Sequence, residues 1–442
     1  MADKCDPIRS KLHGLEVQLR NTPEYDHSKP DRRNTQKPHK NPEWTSLTGQ
    51  IASTRLALQQ CSESLRRFTV TGDAFIGSIE IDALVSRFMK LYDIRAMSVA
   101  IAREGTLIGN RGYTWAQPNY PITRPDTVFR IASVSKIFTC AAIDNLRATG
   151  VLTFATPAFR FLGISSTLLP DQTADPDVDK ITVKELATGE SGLQRDFWPG
   201  GDLRPVAGRL GLSVTPTRDQ LGAYIYGEPL LVSPGTAVPP IYSNSAFAVL
   251  TSIVEKASQL TFIEYLRRNI LLPLGIDDVR VGATAANGRF PNEVSTYDAV
   301  GFGPSQLDMA ANATEPNAYG GQFTFENGCD GEGALVTSSG TVARVLSTHA
   351  VWDIGARKPG TRYGDLAGTG AVAVSRPDGL DFACAFNHEV DDPAKGALVS
   401  QINAVLDRHL VVHPGGVVAS ISRFIIRLVD RVLRVVGLRL DP

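Results

Sequence analysis

The stretch Phe129-Arg130-Ile131-Ala132-Ser133-Val134-Ser135-Lys136 leads into a periodic apolar run that ends at Gly150. The run predicts a helix, and Ser133 and Lys136 at its start fall on one face, one turn apart. A serine hydroxyl is a weak nucleophile until a neighbouring base takes its proton. A lysine serves as that base when burial and the positive end of a helix lower its proton affinity. Alone, the tetrapeptide reads more readily as an N-cap serine followed by a surface lysine.

A second block about a hundred residues on decides between the two. Ser233-Pro234-Gly235-Thr236 precedes Ile241-Tyr242-Ser243-Asn244-Ser245 and an apolar helix carrying Phe247, Leu250, Ile253 and Val254, then Leu272-Pro273-Leu274-Gly275. Here the chain resembles the serine beta-lactamase and penicillin-binding-protein superfamily, in its branch of ampC-type lactamases, D-aminopeptidases and family VIII carboxylesterases. The resemblance runs from about residue 75 to about residue 410. It implies that Ser133 forms an acyl-enzyme, Lys136 accepts its proton, Tyr242 relays a proton to the leaving group, and Asn244 orients the lysine and the substrate.

The resemblance also implies an oxyanion hole of two backbone N–H groups, one from Ser133. The third family motif, usually Lys-Thr-Gly or His-x-Gly, matches Arg362-Tyr363-Gly364, which makes Asp365 the second donor; Lys358-Pro359-Gly360 is an alternative match. Relatives often carry His where this chain has Gly189. On a strand, Arg362 and Gly364 share one face while Tyr363 and Asp365 share the other. If the Arg362 face meets the cleft, a carboxylate-bearing substrate is favoured; otherwise Asp365 repels one.

The fold class expected is mixed α and β: a beta-lactamase-like antiparallel sheet flanked by helices, with an inserted helical subdomain over about 155–335. A helix near 79–93 precedes a hairpin of Met97–Ala102 with Thr106–Ile108 around Glu104-Gly105. Ala371–Val374 and Phe382–Phe386 flank the turn Arg376-Pro377-Asp378-Gly379, and a helix of about 396–409 follows. The hydrolase domain is expected over 73–412. Residues 1–72 form an extension, with helical spacing at Ile8, Leu12, Leu15 and Leu19 and again from Trp44 to Phe68. The polar run Pro23 to Pro42 between them reads as a flexible linker. In 413–442, Arg423, Arg427, Arg431 and Arg434 line one stripe of an apolar helix. Such a helix lies on an anionic membrane surface, on its own domain, or on a second subunit.

Lys and Arg number 45 against 46 Asp and Glu, so no global field gathers nucleic acid or an anionic surface. The five cysteines show no pairing pattern, and together with a polar N-terminus they lead to an expectation of free thiols and a cytoplasmic protein, with membrane association through the last segment as its variant. Metal-ligand spacings, dinucleotide fingerprints and a Gly-x-Ser-x-Gly elbow are missing, so no cofactor and no metal is expected. The expected activity is that of a serine hydrolase, a carboxylesterase on small esters first, with beta-lactamase or D-amino-acid peptidase as the alternative. An inactive binding protein on the same scaffold is the competitor from another class. The partner is a small ester or amide whose pocket takes its shape from loops such as Asp196–Gly200 and Tyr319–Gly321.

Overall fold

The computed structural model describes residues 5–22, 25–31, 34–196, 202–309, 313–324 and 329–409. The chain divides into two compact units, Met1–Thr69 with Thr114–Ile122 and Val70–Tyr113 with Thr123–Pro442. The basic helix expected in 413–442 and the loop residues Phe197–Gly200 lie outside the described residues.

In the first unit, α1 (Asp6–Asn21) and α2 (Pro42–Ser64) each open with a proline in the first turn, where its missing N–H costs nothing. Leu12, Leu15 and Leu19 of α1 meet Leu47 and Ile51 of α2, the face that the spacing predicts. Between the helices, β1 (Tyr25–Asp31) and β2 (Asn34–Lys40) pair antiparallel, Tyr25 opposite Lys40. This corrects the reading of a flexible linker. Polar composition limits what side chains can bury, but a ladder satisfies backbone donors and acceptors whatever the side chains are. Cys5 and Cys61 form a disulfide, with Cα atoms 5.9 Å apart. The expectation of five free thiols is corrected here. The pair is 56 positions apart in sequence, and only the antiparallel return of α2 brings its ends together. Cys140, Cys329 and Cys384 are free and buried.

Strand β3 (Arg67–Thr71) leads into the second unit, which opens with α3 (Ser78–Leu91), β4 (Ala96–Arg103) and β5 (Thr106–Ala116). Next come β6 (Phe129–Arg130), a 3-10 turn at Ala132–Ser135, and α4 (Lys136–Ala148). The insertion holds α5 (Ala158–Leu162), α6 (Val183–Thr188), α7 (Arg204–Arg209), α8 (Arg218–Tyr226), α9 (Asn244–Ser258) and α10 (Phe262–Leu266). Its last part carries short strands, β7 (Arg280–Val281), β8 (Phe302–Pro304), β9 (Thr314–Pro316) and β10 (Leu335–Thr337). The chain then closes with α11 (Ser339–Val345), β11 (Gly360–Leu366), β12 (Thr369–Ser375), β13 (Leu380–Phe386) and α12 (Asp392–His409).

The main sheet has the order β11-β12-β13-β4-β5-β3. Its β13–β4 pair, with Leu380 opposite Arg103 and Phe386 opposite Met97, joins the two ends of the domain antiparallel, as expected. Every residue of β12 and β13 is buried, because helices cover both faces. On one face Phe88 of α3 meets Phe386 edge-on at 5.7 Å, and on the other α11 packs on β4 and β13. Helices α4 and α9 pack together beside the sheet, and from Ser245 to Val254 no residue of α9 reaches solvent appreciably. A helix apolar all round belongs in such a core. A small sheet, β6-β10-β7, pins the backbone just before Ser133.

Candidate active site

The turn that presents Ser133 begins at Ala132, whose φ of +46° lies in the left-handed region that side chains with a Cβ rarely adopt. Strained backbone persists where its surroundings fix it, and such positions cluster at functional sites. Here Ile131 N–H donates to Leu335 O at 3.0 Å on one side, and Val134 N–H to Ile131 O at 3.0 Å on the other. Ser133 therefore sits in the 3-10 turn, and α4 proper starts at Lys136.

Ser133 Oγ lies 2.6 Å from the Tyr242 hydroxyl, and Lys136 Nζ donates to the same Oγ at 3.2 Å. Lys136 is fully buried, and its Nζ also donates to the Glu332 carbonyl. Burial alone would raise the Tyr242 phenol. The charge of Lys136 opposes burial, as do hydrogen bonds from Lys136 and Ser133 and the charge of Arg362, and the phenol is held below its ordinary value.

Tyr242 and Asn244 flank Ser243, which is extended and caps α9 by accepting from Ala246 N–H at 3.1 Å. In an extended segment alternate residues share a face, so the Tyr-x-Asn spacing delivers both side chains to one side. Asn244 reaches the cleft beside Ser133, but its amide nitrogen donates to Asp196 Oδ1 at 2.7 Å. Among the described residues its expected hydrogen bond to Lys136 is not formed. Lys136 Nζ is taken up by Ser133 Oγ and Glu332 O instead. Gly189, in the place of the family's frequent His, caps α6 with φ +78°, and a Cβ there would stand 2.8 Å from Ile241 O.

Strand β11 carries the glycines of both matches to the third motif, at different distances from Ser133. A Cβ on Gly364 would lie 2.4 Å from Ile131 O and 3.1 Å from Ser133 N, so the strand crosses the nucleophile turn backbone to backbone. Gly360, the glycine of the alternative match, begins the strand against Ser375. Arg362 shares the Gly364 face, yet it is no free clamp. It is 2% exposed, donates to Val351 O at 3.0 Å and to Ser133 O at 3.4 Å, and its guanidinium stacks 3.9 Å from the Trp352 ring centroid. Asp365 sends its carboxylate to buried Lys395 of α12, which also pairs with Asp392 at 2.9 Å.

Ser133 and Tyr242, joined by their hydrogen bond, each line a cavity. The first, about 320 Å³, is lined by Ser133, Asn244, Asp196, Glu332, Asp365 and Glu389 among others. The second, about 350 Å³, has Tyr242, Phe247, Trp352, Leu186, Ile241 and Arg362 among its walls and is mainly apolar. Motif reading missed Glu332 and Trp352, and named Asp196 only as part of a pocket-shaping loop. The one local signal for Glu332 was an acid set between Gly331 and Gly333, and it reads as an ordinary loop. Among the described residues no cluster of three or more His, Cys, Asp or Glu has the arrangement of a metal site.

Residues 81–416 match the Beta-lactamase family model. The chain belongs to the Beta-lactamase family. Within this serine hydrolase family, it is 31% identical over 170 residues to the D-alanyl-D-alanine-carboxypeptidase/endopeptidase AmpH of Escherichia coli, covering 38% of this chain and 40% of that one. It is 28% identical over 213 residues to the esterase EstB of Burkholderia gladioli, covering 47% and 52%. The chain thus spans about half or less of the length of these relatives. Among solved structures, the D-amino acid amidase of Ochrobactrum anthropi superposes with a TM-score of 0.54 at 16% identity, over 75% of this chain and 99% of that one, which is a likeness of fold.

Proposed function

We propose that this Beta-lactamase family member hydrolyses small carboxylic esters through an acyl-enzyme on Ser133. The observation that carries the reading is the triangle of Ser133 Oγ, Lys136 Nζ and the Tyr242 hydroxyl. Ser133 Oγ attacks the ester carbonyl and gives its proton to Lys136. The Tyr242 phenol, whose proton affinity is tuned downward, hands a proton to the departing alkoxide and recovers one from Lys136. The backbone N–H groups of Ser133 and Asp365 receive the oxyanion, which the close passage of Gly364 past Ser133 N supports.

Preference for esters rests on the two cavities. An acyl group on Ser133 would occupy the first, with the leaving alcohol beside Tyr242 in the apolar second. A carboxylate on the substrate gains little in either one. The guanidinium of Arg362 is engaged by Val351 O and Trp352, and Asp196, Glu332, Asp365 and Glu389 line the Ser133 side. Relatives named for esterase and for D-alanyl-peptidase activity make both chemistries accessible to the family.

A fluorophosphonate probe should label the wild type and leave Ser133→Ala unlabelled. In a panel of p-nitrophenyl acetate and butyrate, a chromogenic cephalosporin and D-amino-acid amides, the esters should turn over fastest. Faster cephalosporin turnover would overturn the ester preference. A folded wild type without a Ser133 adduct would favour a binding protein.

A further inference from the structure

Glu332 is an acid with no assigned task at a place where acids are costly. It is 2% exposed, and its Oε2 has no hydrogen-bond partner among the described residues. Buried polar atoms are nearly always satisfied, and an exception in a residue that lines the cavity of Ser133 asks for a ligand. Its residue lines the cavity that holds Ser133 and Asn244, the side the acyl group would occupy.

The loop that carries it is held rigidly. Cys329 O accepts the N–H groups of Glu332, Gly333 and Ala334 at 3.1 to 3.2 Å. Thr139 Oγ1 of α4 donates to Gly331 O at 2.6 Å, and a Cβ on Gly331 would lie 2.0 Å from Thr251 Oγ1 of α9. Asp330 is gripped by Arg218 at 2.9 and 3.0 Å.

We propose that Glu332 is the base of deacylation, its Oε2 accepting a proton from the water that attacks the Ser133 acyl group. The assignment rests on the acyl-enzyme reading above. As the water oxygen bonds to the acyl carbon, the carbonyl π pair moves to the oxyanion and one water proton passes to Glu332. Collapse of the oxyanion breaks the bond to Ser133 Oγ, which takes a proton from the Tyr242 hydroxyl. The proton on Glu332 leaves through the cleft to bulk water, and Tyr242 is reprotonated from the same source.

Titration of the group fits the task. Burial pushes the Glu332 carboxyl up to about 8, against the charge of Lys136 on α4 and a hydrogen bond from Cys329, with Asp196 and Asp330 reinforcing burial. A base works best with its proton affinity near the working pH. Deacylation should therefore quicken as pH rises towards about 8 and the carboxylate forms.

Stopped-flow hydrolysis of p-nitrophenyl acetate by wild type, Glu332→Gln and Glu332→Ala separates the two half-reactions. In Glu332→Gln a stoichiometric burst of p-nitrophenol should be followed by turnover slower by on the order of a hundredfold or more, the scale of losing a positioned base. Mass spectrometry should find Ser133 acetylated, and hydroxylamine, which attacks without a base, should restore release. Formate should restore it in Glu332→Ala. The rising limb near pH 8 should appear in wild-type deacylation and vanish in the variants. Wild-type deacylation by Glu332→Gln, or equal slowing of acylation and deacylation, overturns the assignment while leaving the acyl-enzyme standing. If no Ser133 adduct forms even in the wild type, the acyl-enzyme reading falls and takes this assignment with it.

Discussion

Ser133 owes its position to two neighbours with no reactive group of their own, Ala132 at φ +46° and Gly364 on the crossing strand. The atoms that a Gly364 side chain would strike are backbone: Ile131 O at 2.4 Å and Ser133 N at 3.1 Å. They cannot rotate away as a flexible side chain would. Gly364→Ala must therefore push β11 off the turn and pull apart the N–H groups proposed as oxyanion donors. A shift of about 1 Å at a reacting centre costs on the order of a hundredfold in rate. Gly364→Ala should lose that much in kcat/KM with its circular dichroism unchanged, and retention of full activity would remove Gly364 from this role. Ser133, Lys136 and Tyr242 could be singled out because their motifs resemble those of the serine beta-lactamase superfamily, in which short spacings on a helix start and a capped extended segment keep the side chains on one face. Glu332 was not, since an orphaned buried carboxyl exists only once Lys136, Cys329 and Asp196 are folded around it.

At the scale of elements, β11 turned an ambiguity into a structure. Alternation along a strand told that Arg362 and Asp365 oppose each other, but only the pairing of Arg362 with Ala373 and the seat of α12 against Asp365 decided which faced the nucleophile. The outcome differs from either alternative expected. Arg362 faces Ser133, yet it acts on backbone carbonyls and on Trp352. Arg362→Ala should thus slow esters and carboxylate-bearing substrates by similar factors and lower the melting temperature, because Val351 O loses its buried donor at a cost of about 1–3 kcal/mol. A selective loss on the carboxylate-bearing members of the panel would show that the guanidinium is a substrate clamp after all. Helix α3 and the β4–β5 and β12–β13 hairpins were readable from apolar runs around turn residues. The two-residue strands β6 and β7 were not, because their pairing is dictated by β10, more than fifty residues further on.

For the molecule as a whole, Ser133, Lys136, Tyr242, Glu332 and Gly364 all belong to the second unit, and the Cys5–Cys61 disulfide belongs to the first. The apolar seam of that first unit is small, with Leu15, Leu47 and Ile51 as its buried members. Helical hairpins with so little core depend on a covalent staple. Closing a loop of 56 residues' separation removes chain entropy from the unfolded state worth about 4 kcal/mol by the loop-closure relation. Reduction, or Cys61→Ser, should consequently expose residues 5–22 and 42–64 to rapid hydrogen exchange while ester turnover stays within about twofold of wild type, since none of these site residues belongs to the first unit. The buried thiols of Cys140, Cys329 and Cys384 give the reductant nothing to act on in the hydrolase core. Loss of turnover in step with the loss of protection in α1 and α2 would instead make the first unit part of the working enzyme.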